Sequence, residues 1–209
     1  MLGLSTPDLI ARLIILALAF SVHEFAHAWT ADQLGDDTPR LQGRLTLNPL
    51  AHLDPLGSLM LILAGFGWAR PVVVNPYQLQ RRSPAAMMLV SIAGPFSNLI
   101  MAILAAIPFR AGLLSLGVTP SFAAQMLAEF IFINLILMFF NLIPISPLDG
   151  EKVAEYFLPP AGQRMLDRIR PYGPYLLLGL IFLGSFGGLD IFGNLIGKPA
   201  LSVFRLLIA

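Results

Sequence analysis

The chain has 209 residues, 56% of them hydrophobic and 12% charged, with a formal net charge of +1. Soluble domains carry about 25% charged residues, so an ordinary soluble globule is excluded, and the high hydrophobicity excludes a disordered chain. A balance so near neutral, with no basic block, gives no electrostatic footprint for nucleic acid, and the lack of cysteine excludes disulfides, a thiolate nucleophile and Cys-ligated zinc.

These limits leave one integral membrane domain over residues 1–209, mainly α, and the elements follow in chain order. A spanning helix needs about 20 mostly apolar residues. Residues 9–31 qualify, with Arg12 near their start and a His-Glu-x-x-His pattern inside. The apolar stretch runs on past Ala26-His27-Ala28 and no Lys or Arg precedes Asp8, so it reads as a span and not as a cleaved signal peptide. His52 and Asp54 then lie among proline-marked turns; Asp54-Pro55 before an apolar run is a helix-start pattern. Residues 56–66 are apolar but too short to cross, which predicts a re-entrant segment. Behind them, Val72, Val73 and Val74 stand between Pro71 and Pro76, and residues 70–75 read as a short edge strand. Residues 54–78 are thus expected to form a re-entrant helix with a β-hairpin.

Residues 85–109 carry no charge and residues 122–143 only Glu129, so both are expected to span. Beyond them the helix breaks at Pro144 and Pro147 and reaches Asp149-Gly150. A fourth candidate span, 175–196, is interrupted by Gly187, Gly188 and Asp190. Trp68, Tyr77 and Tyr172 fit interfacial anchors. The architecture expected is a polytopic transmembrane helical bundle with one small re-entrant element.

The chemistry sits in the first span. His23 and His27 are four apart and so share a helix face, where both imidazoles can bind one metal ion. Glu24 lies beside them, placed to take a proton from a water that the metal activates, and H-E-x-x-H is the pattern of zinc metalloproteases. Three ionisable groups within five positions of a span are costly and mark function. A catalytic zinc takes three protein ligands and keeps one position open. His52, Asp54, Glu129, Asp149 and Glu151 are the candidates for the third.

HEFAH in a membrane helix, SIAGPFSN early in a later one and NLIPISPLDG further on, with LNPLAHLDPLG and ARPVVVNP between them, resemble the site-2 protease family of intramembrane zinc metalloproteases in its compact bacterial and archaeal form. The matches run in family order from about residue 20 to 152. The resemblance implies one zinc per chain held by His23, His27 and Asp149, with Glu24 as general base. It also implies that Asn141 helps to hold the substrate or its oxyanion, with Asn98 as a second polar contact; His52 is an accessory candidate. The partners it implies are a transmembrane protein substrate, cut in regulated intramembrane proteolysis, the lipid bilayer, and a regulatory membrane protein. The competing expectation is a metal-binding membrane protein without proteolytic activity, such as a transporter or an inactive relative.

Charge and geometry add an orientation. His27 lies late in the first span and Asp149 follows the 122–143 span, so they can share an ion only if an odd number of spans separates the two. With residues 56–66 re-entrant, 85–109 supplies one. Nine basic residues (Arg40, Arg44, Arg70, Arg81, Arg82, Lys152, Arg164, Arg168 and Arg170) then share a side, against Arg12 and Arg110 on the other. The rule that basic loops stay inside places the active site toward the cytoplasm in a multi-pass cell-membrane protein, with the N-terminus outside.

Overall fold

A computed structural model describes residues 6–64, 67–186 and 191–209, with backbone alone for residues 6, 61–64 and 181–186. The described residues are mainly helical and contain no strand. By its internal contacts the chain divides into two compact units, Met1–Ala86 and Met87–Ala209.

In the first unit, α1 (Thr6–Gln33) has Asp8 in its first turn, where the helix dipole favours an anion. Its 28 residues extend about 42 Å at 1.5 Å per residue. The helix ends at Gly35 in a left-handed conformation (φ +91°), with the Gly35 amide bonded to Asp32 O and the Asp36 amide to Ala31 O. This is the Schellman pattern, and it needs a residue free of a Cβ at that position. The same device follows α2 (Thr38–Leu41): Gly43 has φ +69°, its amide bonds to Arg40 O, and the Arg44 amide bonds to Pro39 O. The two turns deliver Asp36 and Arg44, both buried, back into the unit. The short α3 (Pro49–His52) is capped by Asn48. Asp54 caps α4 (Pro55–Ala64), its Oδ1 accepting from the Gly57 amide at 2.7 Å, as the Asp-Pro pattern predicts. Residues 65 and 66, the end of the expected re-entrant run, lie outside the described residues.

The expected strand at residues 70–75 does not form. Leu53 and Ala69 make an isolated antiparallel bridge; beyond it the backbone bonds mainly to side chains instead of to a neighbouring strand. The Arg70 amide donates to His52 O (2.7 Å), the Val72 amide to Glu24 Oε2 (3.2 Å) and the Asn75 amide to Asp36 Oδ2 (2.6 Å). The Arg44 guanidinium donates to the carbonyls of Ala51, Arg70 and Pro71. Burial alternates over residues 71–74, as in an extended chain. Asn75 then caps α5 (Pro76–Arg82) by accepting from the amides of Tyr77 and Gln78.

The second unit holds the remaining long helices, α6 (Ala86–Arg110) and α7 (Phe122–Asn141), the latter capped by Ser121. Together with α1 these are the helices long and apolar enough to cross a membrane among the described residues, at the positions the sequence predicts. Ala102, Ala106, Ala124, Ala128 and Ala200 line their core with Ile131 and Leu135; small side chains let membrane helices approach closely. Asn98 and Asn134 lie fully buried there, the Asn98 amide donating to Asn134 Oδ1 at 2.8 Å. Behind α7 come α8 (Asp149–Phe157), α9 (Pro160–Ile169), a 3₁₀ turn (Arg170–Tyr172) and α10 (Gly173–Phe186). The glycines at 187 and 188 and Asp190, which interrupt the fourth candidate span, lie outside the described residues. A π turn (Gly193–Gly197) leads into α11 (Lys198–Ile208), which packs on α7 through Ala200, Val203 and Phe204.

Candidate metal centre

His23, Glu24 and His27 lie in the C-terminal half of α1, all three buried. The two imidazoles project from one helix face, as four-residue spacing dictates. Their Nε2 atoms lie 3.0 Å apart and the rings meet edge to face, with centroids 4.6 Å apart. Glu24 accepts a hydrogen bond from the Val72 amide through Oε2, so the orientation of its carboxylate is set by backbone from the far end of the same unit.

The chain is 41% identical over 186 residues to the Bacillus subtilis (strain 168) protein named "Putative zinc metalloprotease YwhC", covering 83% of this chain and 81% of that protein. The chain belongs to the site-2 protease family of zinc metalloproteases. It is also 32% identical to proteins named "Putative zinc metalloprotease Rip2". The alignment covers 78% of this chain and 63% of the relative in Mycolicibacterium smegmatis, and 82% and 66% in Mycobacterium tuberculosis (strain H37Rv). No family model matches the sequence, and no solved structure matches it.

The histidine pair of this site-2 protease family member fits zinc. Two imidazole nitrogens at about 2.0–2.1 Å from a tetrahedral zinc lie about 3.3 Å apart, close to the 3.0 Å found here. At that distance one ring can also donate its N–H to the other nitrogen. Zinc is the metal that the relatives' names carry.

Several sequence candidates for a third ligand have other partners. Asp54 caps α4. His52 is fully buried, with Nε2 2.7 Å from Thr46 O, and its own carbonyl accepts the Arg70 amide; it braces the loop carrying residues 70–75. Glu151 Oε1 accepts from Arg170 Nε at 2.6 Å. Glu129 lies on α7. Asp149 is the first residue of α8, where the helix dipole favours a carboxylate.

Gly150 explains how the turn before α8 is drawn in, since a Cβ there would lie 2.3 Å from Leu142 O. The Asn141 amide donates to Leu137 O within the last turn of α7. Asn98, the second polar candidate, is engaged with Asn134, whose own amide donates to Phe130 O.

Sequence reasoning did not single out Asp36 or Arg44 as parts of the assembly that holds Val72 against Glu24, nor the partner of Asn98. Gly35 and Gly43 are the available signals for the first two, because each marks a turn whose next residue points back. Burial lowers the Arg44 pKa from its ordinary value, as does the neighbouring Arg70 charge, while Glu24 acts the other way. The guanidinium meets this cost through its carbonyl partners.

Proposed function

We propose that the chain is an intramembrane protease that hydrolyses peptide bonds in or near the transmembrane segments of membrane-protein substrates, as in regulated intramembrane proteolysis. The observation that carries this reading is the His23–His27 pair, its Nε2 atoms 3.0 Å apart, with Glu24 buried beside it on a helix apolar and long enough to cross a bilayer. We assign His23, His27 and Asp149 as the ligands, the set that the likeness to the family implies; two imidazoles and a carboxylate suit a catalytic zinc. Two nitrogens and one oxygen leave the fourth tetrahedral position open. Zinc bound there supplies a Lewis acid that polarises the scissile carbonyl and lowers the pKa of water toward about 7.

The side chains do the rest. Glu24 takes the proton of the attacking water on its carboxylate and passes a proton to the leaving amine, while the Val72 amide holds that carboxylate in one orientation. Asn141 can donate to the developing oxyanion once its amide leaves Leu137 O; one such donor is worth about 10²–10³ in rate. A substrate helix must unwind locally before its carbonyls are open to attack. The extended chain at residues 70–75 suits an added strand, and Val73 stands exposed on it. The site faces the cytoplasm by the distribution of basic loops, and control of substrate access falls to a membrane partner, to prior trimming of the substrate or to the C-terminal region.

The test combines zinc content with cleavage of a model transmembrane substrate in detergent. Wild type is expected to hold one zinc and cut, Glu24→Gln to keep zinc without turnover, and Asp149→Ala to lose zinc affinity. Loss of metal from Glu24→Gln would make Glu24 a ligand and overturn its role as base. Zinc bound by wild type with no membrane substrate cut would favour the non-proteolytic metal-binding reading.

A further inference from the structure

Asp149 is delivered by a turn that is closed on itself. The turn over residues 142–148 leaves α7, and the first turn of α8 lies so near it that a Cβ on Gly150 would meet the carbonyls of Leu142 and Ile143 at 2.3 and 2.6 Å. On the other side, a Cβ on Gly173 would lie 2.2 Å from Ser146 O. Gly173 directly follows the Arg170–Tyr172 turn, so the contact fixes the backbone from which Arg170 reaches out. Arg170 completes the circuit. Its Nε donates to Glu151 Oε1 at 2.6 Å and its Nη2 to Glu155 Oε2 at 2.9 Å. Glu151 and Glu155 are four apart on one face of α8, and the Glu151 side chain is only 6% exposed.

We propose that Arg170 is a positioning residue for the metal site: by holding Glu151 and Glu155 together it fixes the rotation of α8 about its axis, and so the aim of the Asp149 carboxylate. This rests on the reading of Asp149 as a ligand. A helical side chain ends about 5–6 Å from the axis, so a 10° rotation of α8 moves the Asp149 oxygens by about 1 Å. Metal–ligand distances tolerate only about 0.2 Å. Arg170 is also the nearer of two cations that offset the buried Glu151 charge two residues from Asp149, at 2.6 Å against 3.6 Å for Lys152. Lys152 cannot replace it, being 3.6 Å from Glu151 and 2.8 Å from Glu155 with a single ammonium to share.

The experiment is a zinc titration of the full chain in detergent against a competing chromophoric chelator, run beside a thermal melt of the metal-free protein. The variants are Arg170→Ala, Arg170→Lys, Glu151→Gln, the Arg170→Ala/Glu151→Gln double, Asp167→Asn and Asp149→Ala. Arg170→Ala and Glu151→Gln are each expected to weaken zinc binding about 10-fold, the low end of what groups that orient a metal ligand cost when removed, and the double to be no worse than the weaker single. Arg170→Lys should recover part of the loss. Asp167→Asn, which removes the exposed arm of the same arginine (3.1 Å from Nη1), should stay within about twofold of wild type. A lowered melting point with unchanged zinc affinity in Arg170→Ala and Glu151→Gln, while Asp149→Ala loses zinc, would overturn the proposal and leave the ligand reading standing. Wild-type zinc affinity in Asp149→Ala would overturn the ligand reading itself. Should Arg170→Ala fail to fold, Glu151→Gln and Arg170→Lys carry the same comparison.

Discussion

In the wall of alanine, leucine and isoleucine between α6 and α7, the Asn98 amide donates to Asn134, and Asn134 donates on to the Phe130 carbonyl. Replacing Asn134 by Leu removes the acceptor and leaves a buried donor to be satisfied elsewhere, at a cost of about 1 kcal/mol for a helix pair in a membrane protein. Denaturant unfolding in detergent should show that loss, and the folded fraction of Asn134→Leu should cleave at close to the wild-type rate. If Asn98 instead served the oxyanion, Asn98→Leu would cost the 10²–10³ in rate typical of losing such a donor. Sequence can place Asn98 in a span and mark it as costly there, but its partner is 36 positions away and no local pattern encodes that pairing. His23, Glu24 and His27 are legible because their geometry is local: four residues on one helix fix which side chains meet.

Whole elements divide in the same way. The three long apolar helices follow from hydropathy and length, and Asp54 as a cap follows from its Asp-Pro setting, because each depends on a few neighbouring residues. The strand expected at residues 70–75 does not, since strand propensity describes a surface that a partner must complete. Here Glu24, Asp36 and Arg44, brought in by a helix face and two Schellman turns, take the backbone groups a neighbouring strand would have used. The tie between α8 and the residues after it depends on charge and so on pH. Burial would raise the Glu155 carboxyl, but its hydrogen bonds and charge pairing with Lys152 and Arg170 outweigh that and hold it below its ordinary 4.5. The unfolded chain therefore takes up this proton more readily, so the stabilisation is full above about 4.5 and lost as pH falls through the lower folded value. The melting-point advantage of wild type over Glu155→Gln should be present at pH 6 and vanish toward pH 3. An advantage independent of pH would remove the charge pairing as its cause.

For the molecule as a whole, the composition already selects a membrane, and the relatives' names select zinc proteolysis. The orientation in the bilayer rests on a different argument, the parity of spans between the proposed ligands together with nine basic residues against two. Parity asks only that the proposed ligands share a side, and the preference for keeping Lys and Arg inside is what proposes which side that is. The chain has no cysteine, so single introduced thiols report position without background. Gln80 follows α4 on the basic side, Leu116 lies in the connection between α6 and α7, and Arg164 lies on α9. In intact cells an impermeant maleimide should label Leu116→Cys and leave Gln80→Cys and Arg164→Cys unlabelled until the membrane is opened. Labelling of Gln80→Cys from outside together with Leu116→Cys would mean that no span separates them, and α6 would lose its place as a crossing helix. A fully inverted pattern would keep the spans and reverse the orientation, placing the site on the outer face and requiring substrates cut from that side.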